Sequence, residues 1–554
     1  MPTLELSELN VVIAVLGSFA VVYGLFAVKI KAAWYLGEAL PALTIGVILG
    51  PLAAKFLEPQ KWGSATPGQE PAITLGVMRV MIGIQLVIAG YQLPEKYPKW
   101  HCKEMAVCLI PLMTLMWLST SMCILATIPK LSLLSTLVIG ACVTSTDPIL
   151  SQAVAKGPFA DKYVPRPLRE IMSAEAGAND GFVSPFLMLS VNLMRFSIGR
   201  PETIVDRDRG VGPDPSGVGV AIGNWAIETL VYIVLLGIVY GAVTGFCARM
   251  AIRLSLSHKW IDTENYLLFP TALGLFIVGT GGAIGTSDPL ACFVAGCALN
   301  WDGQFLAEAE RRHDEVNSCI DMLLNFGGFM YVGAALPWSE FHRPEATGIT
   351  VPRLLGLGIL VLLFRRIPAM LITYKAMPSA VKNWREAVFM GYFGPIGVGA
   401  VYYLEHARLL FDREIPDNKI LVEALCPVVY FLVLLSIIVH GLSIPVLSAL
   451  YKYYNVKTIT EDAVEIQRRS IYVPTPPNAF KGDRNTFVAY NRFFRPLANL
   501  SMLQLAHTRS REDQRSMTLE LEEEAKRNAM RAIQPLSWPY MRDSSPLSAT
   551  RVDI

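Results

Sequence analysis

Between Ser173 and Pro185 the chain reads SAEAGANDGFVSP, placing Glu175, Asn179 and Asp180 in a run otherwise apolar enough to sit in a bilayer. Charged side chains at bilayer depth cost roughly 2.5 to 3.5 kcal/mol each even on a lenient insertion scale, so they usually face a protein interior and mark an ion or proton path. The chemistry open to such a carboxylate is reversible binding of a proton or a monovalent cation. On a helix Glu175 and Asn179 are i,i+4 neighbours, while Asp180 lies about 140° around from Glu175 at roughly 100° per residue. The two acids can therefore play different roles, one clamped by an arginine while the other stays exchangeable. Burial disfavours the charged form of a carboxyl, which lets protons compete with a cation for it.

Such a site needs a polar element opposite and a counter-charge. Val143-Thr144-Ser145-Thr146-Asp147-Pro148 lies in another apolar run. Pro148 removes a backbone donor and disfavours helical geometry at Asp147, while the neighbouring hydroxyls can satisfy the freed carbonyls. A broken helix lining a cavity is the expected result, with a simple Pro kink capped by Asp147 as the plainer alternative. In an inverted repeat the other half supplies a second interrupted helix. Gly394-Pro395-Ile396-Gly397-Val398-Gly399 has stronger breaking chemistry than Gly285-Thr286-Ser287-Asp288-Pro289, whose letters look more like TSTDP. With the spans grouped as six, a linker and six, the fifth is matched by the twelfth, which favours Gly394, Gly397 and Gly399. Thr286, Ser287, Asp288 and Ser145 are therefore secondary polar candidates.

Arg365 and Arg366, in FRRIP, offer the counter-charge, because an arginine is always ionised and its burial requires a carboxylate such as Glu175 or Asp180. Snorkelling to the headgroups is the competing reading for either of them and for Arg79. His440, in IIVHGLSIP, is either a satisfied core group or a proton relay. Gln85 is equally ambiguous.

The elements that must position these groups follow from composition. Of 554 residues 53% are hydrophobic and 17% charged, too few charges for a soluble chain of this length. Runs of about twenty apolar residues, each enough to cross roughly 30 Å of hydrocarbon, fall at 9-28, 34-54, 71-92, 104-128, 132-154, 169-194, 220-247, 263-281, 283-300, 318-337, 351-373, 385-404 and 421-449. Thirteen spans place the termini on opposite sides. The basic loops, including Lys96 and Lys99, Arg166 and Arg169, Arg249 and Arg253, and Lys375 and Lys382, fall on the side of the tail, so the tail is expected in the cytoplasm. The nine Cys residues are scattered without a CxxC pair or zinc-type spacing and read as small core residues. Met1 to Asn10 lacks the basic start of a cleavable signal, so the first run reads as a retained span. No nucleic-acid patch stands out. Residues 451-554 read as a hydrophilic, partly disordered tail in which Arg509 to Arg531 forms a charged helix and a candidate dock for cytoplasmic regulators.

Taken in order, TSTDPIL, SAEAGANDG, GTSDPLACFVAGCALNWDG, RRIP and VHGLSIP closely resemble the fungal plasma-membrane sodium/proton antiporters of the cation/proton antiporter superfamily, over nearly all of residues 5-450. The resemblance implies an all-α polytopic fold of about thirteen transmembrane helices, with inverted repeats and two discontinuous crossing helices. It implies a homodimer whose scaffold and dimerisation helices (9-92 and 220-300) hold a mobile core (104-194 and 318-449) that moves like an elevator. It makes Asp180 the cation- and proton-binding carboxylate beside Asn179, with Thr146 and Asp147 completing or shaping the site and Glu175 ion-paired to Arg365 or Arg366. The implied ions are Na+ and Li+, and for some members K+, exported against protons for salt tolerance, with no cofactor and no enzymatic reaction. Two positions depart from the family pattern: Ala176 stands where a Ser oxygen is usual, and Ser287-Asp288 where adjacent acids are common.

Two other functional classes compete with exchange. A cation channel, or a non-transporting ion or pH sensor, would fit the same fold, but channels present rings of acids or carbonyls and no such repetition occurs. A hydrolase using Ser173 or Ser184 with His440 lacks both the nucleophile context and a persuasive acid.

Overall fold

The structure is a computed structural model of the whole chain. It describes residues 8–33, 36–59, 69–155, 158–197, 217–312, 316–411, 416–459, 464–467, 479–481 and 486–489. The apolar runs fold as helices because a backbone in hydrocarbon must satisfy its polar groups within its own segment. The first four are α1 (Glu8–Ala33), α2 (Ala39–Leu49), α3 (Glu70–Tyr91) and α4 (Cys102–Thr127), the last widening to a π turn around Pro111, which has no N–H to give. The fifth run is split into α5 (Leu133–Cys142) and α6 (Pro148–Ala155). Next come α7 (Arg166–Gly181), α8 (Ser184–Ser197), the long α9 (Gly217–Ser257), α10 (Thr263–Ile284) and α11 (Asp288–Leu299). A short amphipathic α12 (Gln304–Arg311) precedes α13 (Val316–Ala334), α14 (Val351–Phe364) and α15 (Ile367–Thr373). The last apolar elements are α16 (Trp384–Tyr392), α17 (Val398–Leu410) and α18 (Pro416–Tyr453).

Each of the thirteen expected spans meets a helix, yet among the described residues seven helices are by themselves long and apolar enough to cross a membrane. The difference lies in short or divided spans. The expected continuous helix over 169-194 is two helices, α7 and α8. Proline at position 185 has no N–H to give the Gly181 carbonyl, and the Ser287 hydroxyl donates to that oxygen instead, at 3.3 Å. The expected helix over 351-373 divides in the same way before Pro368. There the Ser119 hydroxyl donates to the freed Phe364 carbonyl at 2.6 Å. The adjoining spans expected at 263-281 and 283-300 are two separate helices. α10 ends at Gly285, whose φ of +82° suits a left-handed helix stop, and α11 restarts at Asp288.

α11 packs between α3 and α9, and backbones approach so closely there that a Cβ on Gly296 would strike the Val87 carbonyl. α13 packs on α2, α1, α3 and α10, so it keeps company with the early helices although it opens the range 318-449. Around the divided helices stand α4, α5, α8, α14 and α18, and α17 touches both α3 and α5. Beyond α18 the Ile459 N–H donates to the Lys162 carbonyl at 2.8 Å, beside the packed rings of Phe159, Tyr163 and Tyr451. The described part of the tail adds β1 (Val464–Gln467), β2 (Ala479–Lys481) and β3 (Thr486–Ala489) in an antiparallel sheet of order β1-β3-β2, a feature composition did not announce. The charged stretch 509-531 and the basic residues between 200 and 209 lie outside the described residues.

Candidate ion-binding site

The two interrupted helices cross. Residues 143–147 between α5 and α6 meet residues 393–397 between α16 and α17, and the Asp147 N–H donates to the Pro395 carbonyl at 2.9 Å. Two helix N-termini and two C-termini thus converge in the protein interior. Their exposed N–H and C=O groups carry partial charges of opposite sign and need partners.

Asp147 serves the positive ends. Its Oδ1 accepts the Leu150 N–H at 3.0 Å and its Oδ2 the Val398 N–H at 2.9 Å, so one buried carboxylate caps α6 and α17 together. Arg365 serves the negative ends. Its guanidinium donates to the carbonyls of Gly394 at 2.9 Å, Thr144 at 3.0 Å and Ser145 at 2.7 Å. Its Nε is buried without a hydrogen-bond partner beside a cavity of about 20 Å3 that Ser436 and His440 also line, room for roughly one water molecule. Arg366 does something different. It forms a bidentate pair with Glu175 at 2.7 and 2.6 Å, and its Nε donates to the Met390 carbonyl at 3.0 Å. Both side chains of that pair are buried.

Asp180 and Asn179 close the last turn of α7 against the crossing. The Asn179 amide donates to the Thr146 hydroxyl at 2.8 Å and its oxygen accepts the Thr146 N–H at 3.2 Å. Thr146 is thereby bound to Asn179, and both Asp147 oxygens hold backbone, so these two residues shape the site before any cation arrives. Asp180 is held through its main chain, its carbonyl accepting the Tyr403 hydroxyl at 2.6 Å. Its carboxylate is buried, the Ser145 hydroxyl approaches it, and Oδ1 has no hydrogen-bond partner. Glycines make the room. A Cβ on Gly399 would fall on the Asp180 carboxylate, one on Gly397 on that of Asp147, and one on Gly394 on the Arg366 side chain. Ala176 is buried and supplies no oxygen, leaving Ser145 as a hydroxyl beside Asp180.

A profile of the transmembrane sodium/hydrogen exchanger family matches residues 14–450. The chain belongs to that family. One relative, named "Probable Na(+)/H(+) antiporter", from Schizosaccharomyces pombe, is 39% identical over 79% of this chain. A second protein of that yeast, a Na+/H+ antiporter, is 31% identical over 80% of this chain, which spans 91% of its length. The chain spans about half the length of the first of these and of two further relatives. Among solved structures, the sodium proton antiporter MjNhaP1 of Methanocaldococcus jannaschii superposes with a TM-score of 0.51 at 15% identity, covering 78% of this chain and all of that one, a likeness of fold.

In this sodium/hydrogen exchanger chain the remaining candidates lie off the crossing or support it. Arg79 pairs with Asp288 at 2.6 Å and donates to the Val278 carbonyl at 3.0 Å, so it neither snorkels nor meets Glu175. The Thr286 hydroxyl donates to the Ile233 carbonyl at 3.0 Å, and Ser287 bonds Gly181, tying α11 to α9 and α7. Gln85 donates to Asp321 and Asn325. His440 lies between the Ser436 hydroxyl at 3.1 Å and the Tyr392 carbonyl at 3.0 Å, and the Ser436 hydroxyl accepts the Ile396 N–H at 2.7 Å. Nδ1 also lies 2.9 Å from the Ser436 carbonyl, so both ring nitrogens face a main-chain carbonyl and a neutral ring donates to one of them; with either tautomer His440 and Ser436 pin the α16–α17 break. Its ring nitrogens face neither Ser173 nor Ser184, so the hydrolase constellation does not assemble. Sequence reasoning missed Ser436 and Tyr403. Ser436 could have been found as the residue one helical turn before His440; nothing local singles out Tyr403.

Proposed function

We propose that the chain is a secondary antiporter that exchanges Na+ or Li+, and as a further candidate K+, for protons, with Asp180 carrying either ion in turn. One observation carries the reading: of the charged groups at the crossing, Glu175 is bound to Arg366 and Asp147 to two backbone donors, while Asp180 keeps a buried oxygen with no hydrogen-bond partner. A cation entering there meets Asp180 and the Ser145 hydroxyl, with the Asn179–Thr146 pair as the adjoining wall. Proton and cation compete for the same oxygens. Occupancy by either lowers the cost of carrying the site across the membrane, a cost the bare carboxylate raises. With one exchangeable acid the exchange is one cation for one proton.

The names of the fungal relatives, Na+/H+ antiporters, support the choice of ions. The rest of the reading is a homodimer in the plasma membrane, a tail in the cytoplasm, elevator-like movement of the site helices, and outward Na+ transport that confers salt tolerance. The test is reconstitution. Vesicles carrying the wild-type chain and an imposed pH gradient should dissipate it on addition of Na+ or Li+, and Asp180→Asn should abolish this while eluting and unfolding like wild type. If Asp180→Asn vesicles still respond to Na+, the assignment is wrong. Repeating the assay with an imposed membrane potential checks the stoichiometry, since one-for-one exchange is indifferent to it.

A further inference from the structure

Behind the α7 turn that carries Asp180 lies a cavity of about 480 Å3, bounded by Ala178 of α7 and Phe182 just past its end, Ala242 and Phe246 of α9, and Phe293 of α11. Its volume falls in the range of roughly 300–1,000 Å3 found for small-molecule pockets. Nearly all of its lining is apolar. One charged side chain reaches it, Arg249, near the end of α9. That guanidinium lies over the Phe246 ring at 4.9 Å, makes no ion pair among the described residues, and has a buried Nε without a hydrogen-bond partner. The neighbouring Arg253 is paired with Asp302. Past Arg249 a second cavity, of about 30 Å3, is lined by Arg253, Asp302 and Gln304.

An apolar cavity of this volume with one unpaired cation in its lining fits a molecule with one hydrocarbon chain and an anionic head. The surroundings say which. α9 exposes most of its length in the single protomer, Phe246 included, so the cavity borders an uncovered apolar face of the spans. Arg249 lies on the side of the basic loops, with Arg253 and Lys259, which the charge distribution places toward the cytoplasmic leaflet, where anionic lipids concentrate. We propose that this cavity takes one acyl chain of an anionic phospholipid from that leaflet, with Arg249 holding the headgroup. The bound chain lies between α7 and the α9–α11 pair, so it restrains the helix that carries Asp180. The effect on exchange rests on the antiport reading; the binding does not.

Native mass spectrometry of the full-length chain in detergent, supplied with phosphatidylserine or phosphatidylcholine, tests the binding. Wild type should retain one phosphatidylserine per protomer with about fivefold preference over phosphatidylcholine, the weight of one arginine near a membrane surface. Arg249→Gln should lose the preference and keep the apolar retention. Ala242→Phe, which fills the chamber, should lose retention of both lipids; Leu109→Trp, at another wall, serves the same purpose if that variant does not fold. Unchanged preference in Arg249→Gln, or unchanged retention in a folded cavity-filling variant, overturns the proposal. In vesicles, phosphatidylserine should change the wild-type exchange rate and leave that of Arg249→Gln alone. A chain that binds the lipid in this way but moves no ions would refute the antiport reading and leave the lipid site standing.

Discussion

Replacing Glu175 by Gln deletes one charge of a buried pair and leaves the other behind. Arg366 loses two charge-assisted bonds at 2.7 and 2.6 Å and keeps the Met390 carbonyl. With both side chains almost fully shielded, water cannot take over the lost partner. Removing one member of such a pair costs about 3–5 kcal/mol, chiefly because an uncompensated charge stays in a low-dielectric interior. Removing both charges costs much less. Glu175→Leu with Arg366→Met should unfold within about 2 kcal/mol of wild type, since apolar replacements of buried pairs are often neutral. That double variant should therefore be more stable than Glu175→Leu or Arg366→Met alone, the two singles that close its cycle, with a coupling of roughly 3 kcal/mol or more. The assay is denaturant unfolding in mixed micelles followed by circular dichroism, with midpoints and slopes compared across the cycle. If Glu175→Gln costs less than about 1 kcal/mol, or the single effects simply add, the pair does not hold the site helices as described.

Gly399→Ala places a methyl group on the Asp180 carboxylate and should abolish Na+-driven dissipation of a pH gradient in vesicles, whereas Gly279→Ala, with nothing within 4 Å, should leave it intact. On α12, outside the spans, burial pushes Glu310 up to about 7 from the usual 4.5, and its Oε1 has no hydrogen-bond partner. Between those values the folded chain holds a proton that the unfolded chain has released, so Glu310 makes stability fall as pH rises from about 4.5 to about 7. Glu310→Gln should unfold at a higher temperature than wild type near pH 8, and the gap should shrink toward pH 5. A gap that widens on acidification would contradict the sign.

The charged groups were legible in the sequence because apolar runs make every acid and arginine conspicuous, and the helix breaks were legible at Pro148 and between Gly394 and Gly399. The choice between Arg365 and Arg366 was not. Arg365 keeps helical angles (φ −61°, ψ −52°), while Arg366 leaves them (φ −121°, ψ −37°), so the side chains diverge by more than a helical step and reach different partners. Spacing rules hold only while the helix does. The partner of Asp288 was equally hidden, since Arg79 lies 209 residues away and only the packing of α3 on α11 brings them together. His440 looked like a relay candidate because sequence shows a titratable ring without showing the carbonyl and hydroxyl already bound to it.

Three side chains at the crossing stand where three others are missing. Arg366 occupies the space beside Gly394, Asp147 that beside Gly397, and Asp180 that beside Gly399. For the two acids, the charge comes from the first half of the chain and the vacancy from the second. Neither half can drift freely on its own: a bulkier residue at 397 or 399 is tolerable only in company with a change near residue 147 or 180. Chimaeras that join the first half of this chain to the second half of a relative should therefore work only where the donor carries the matching gaps, which makes the crossing a unit of inheritance as well as of structure.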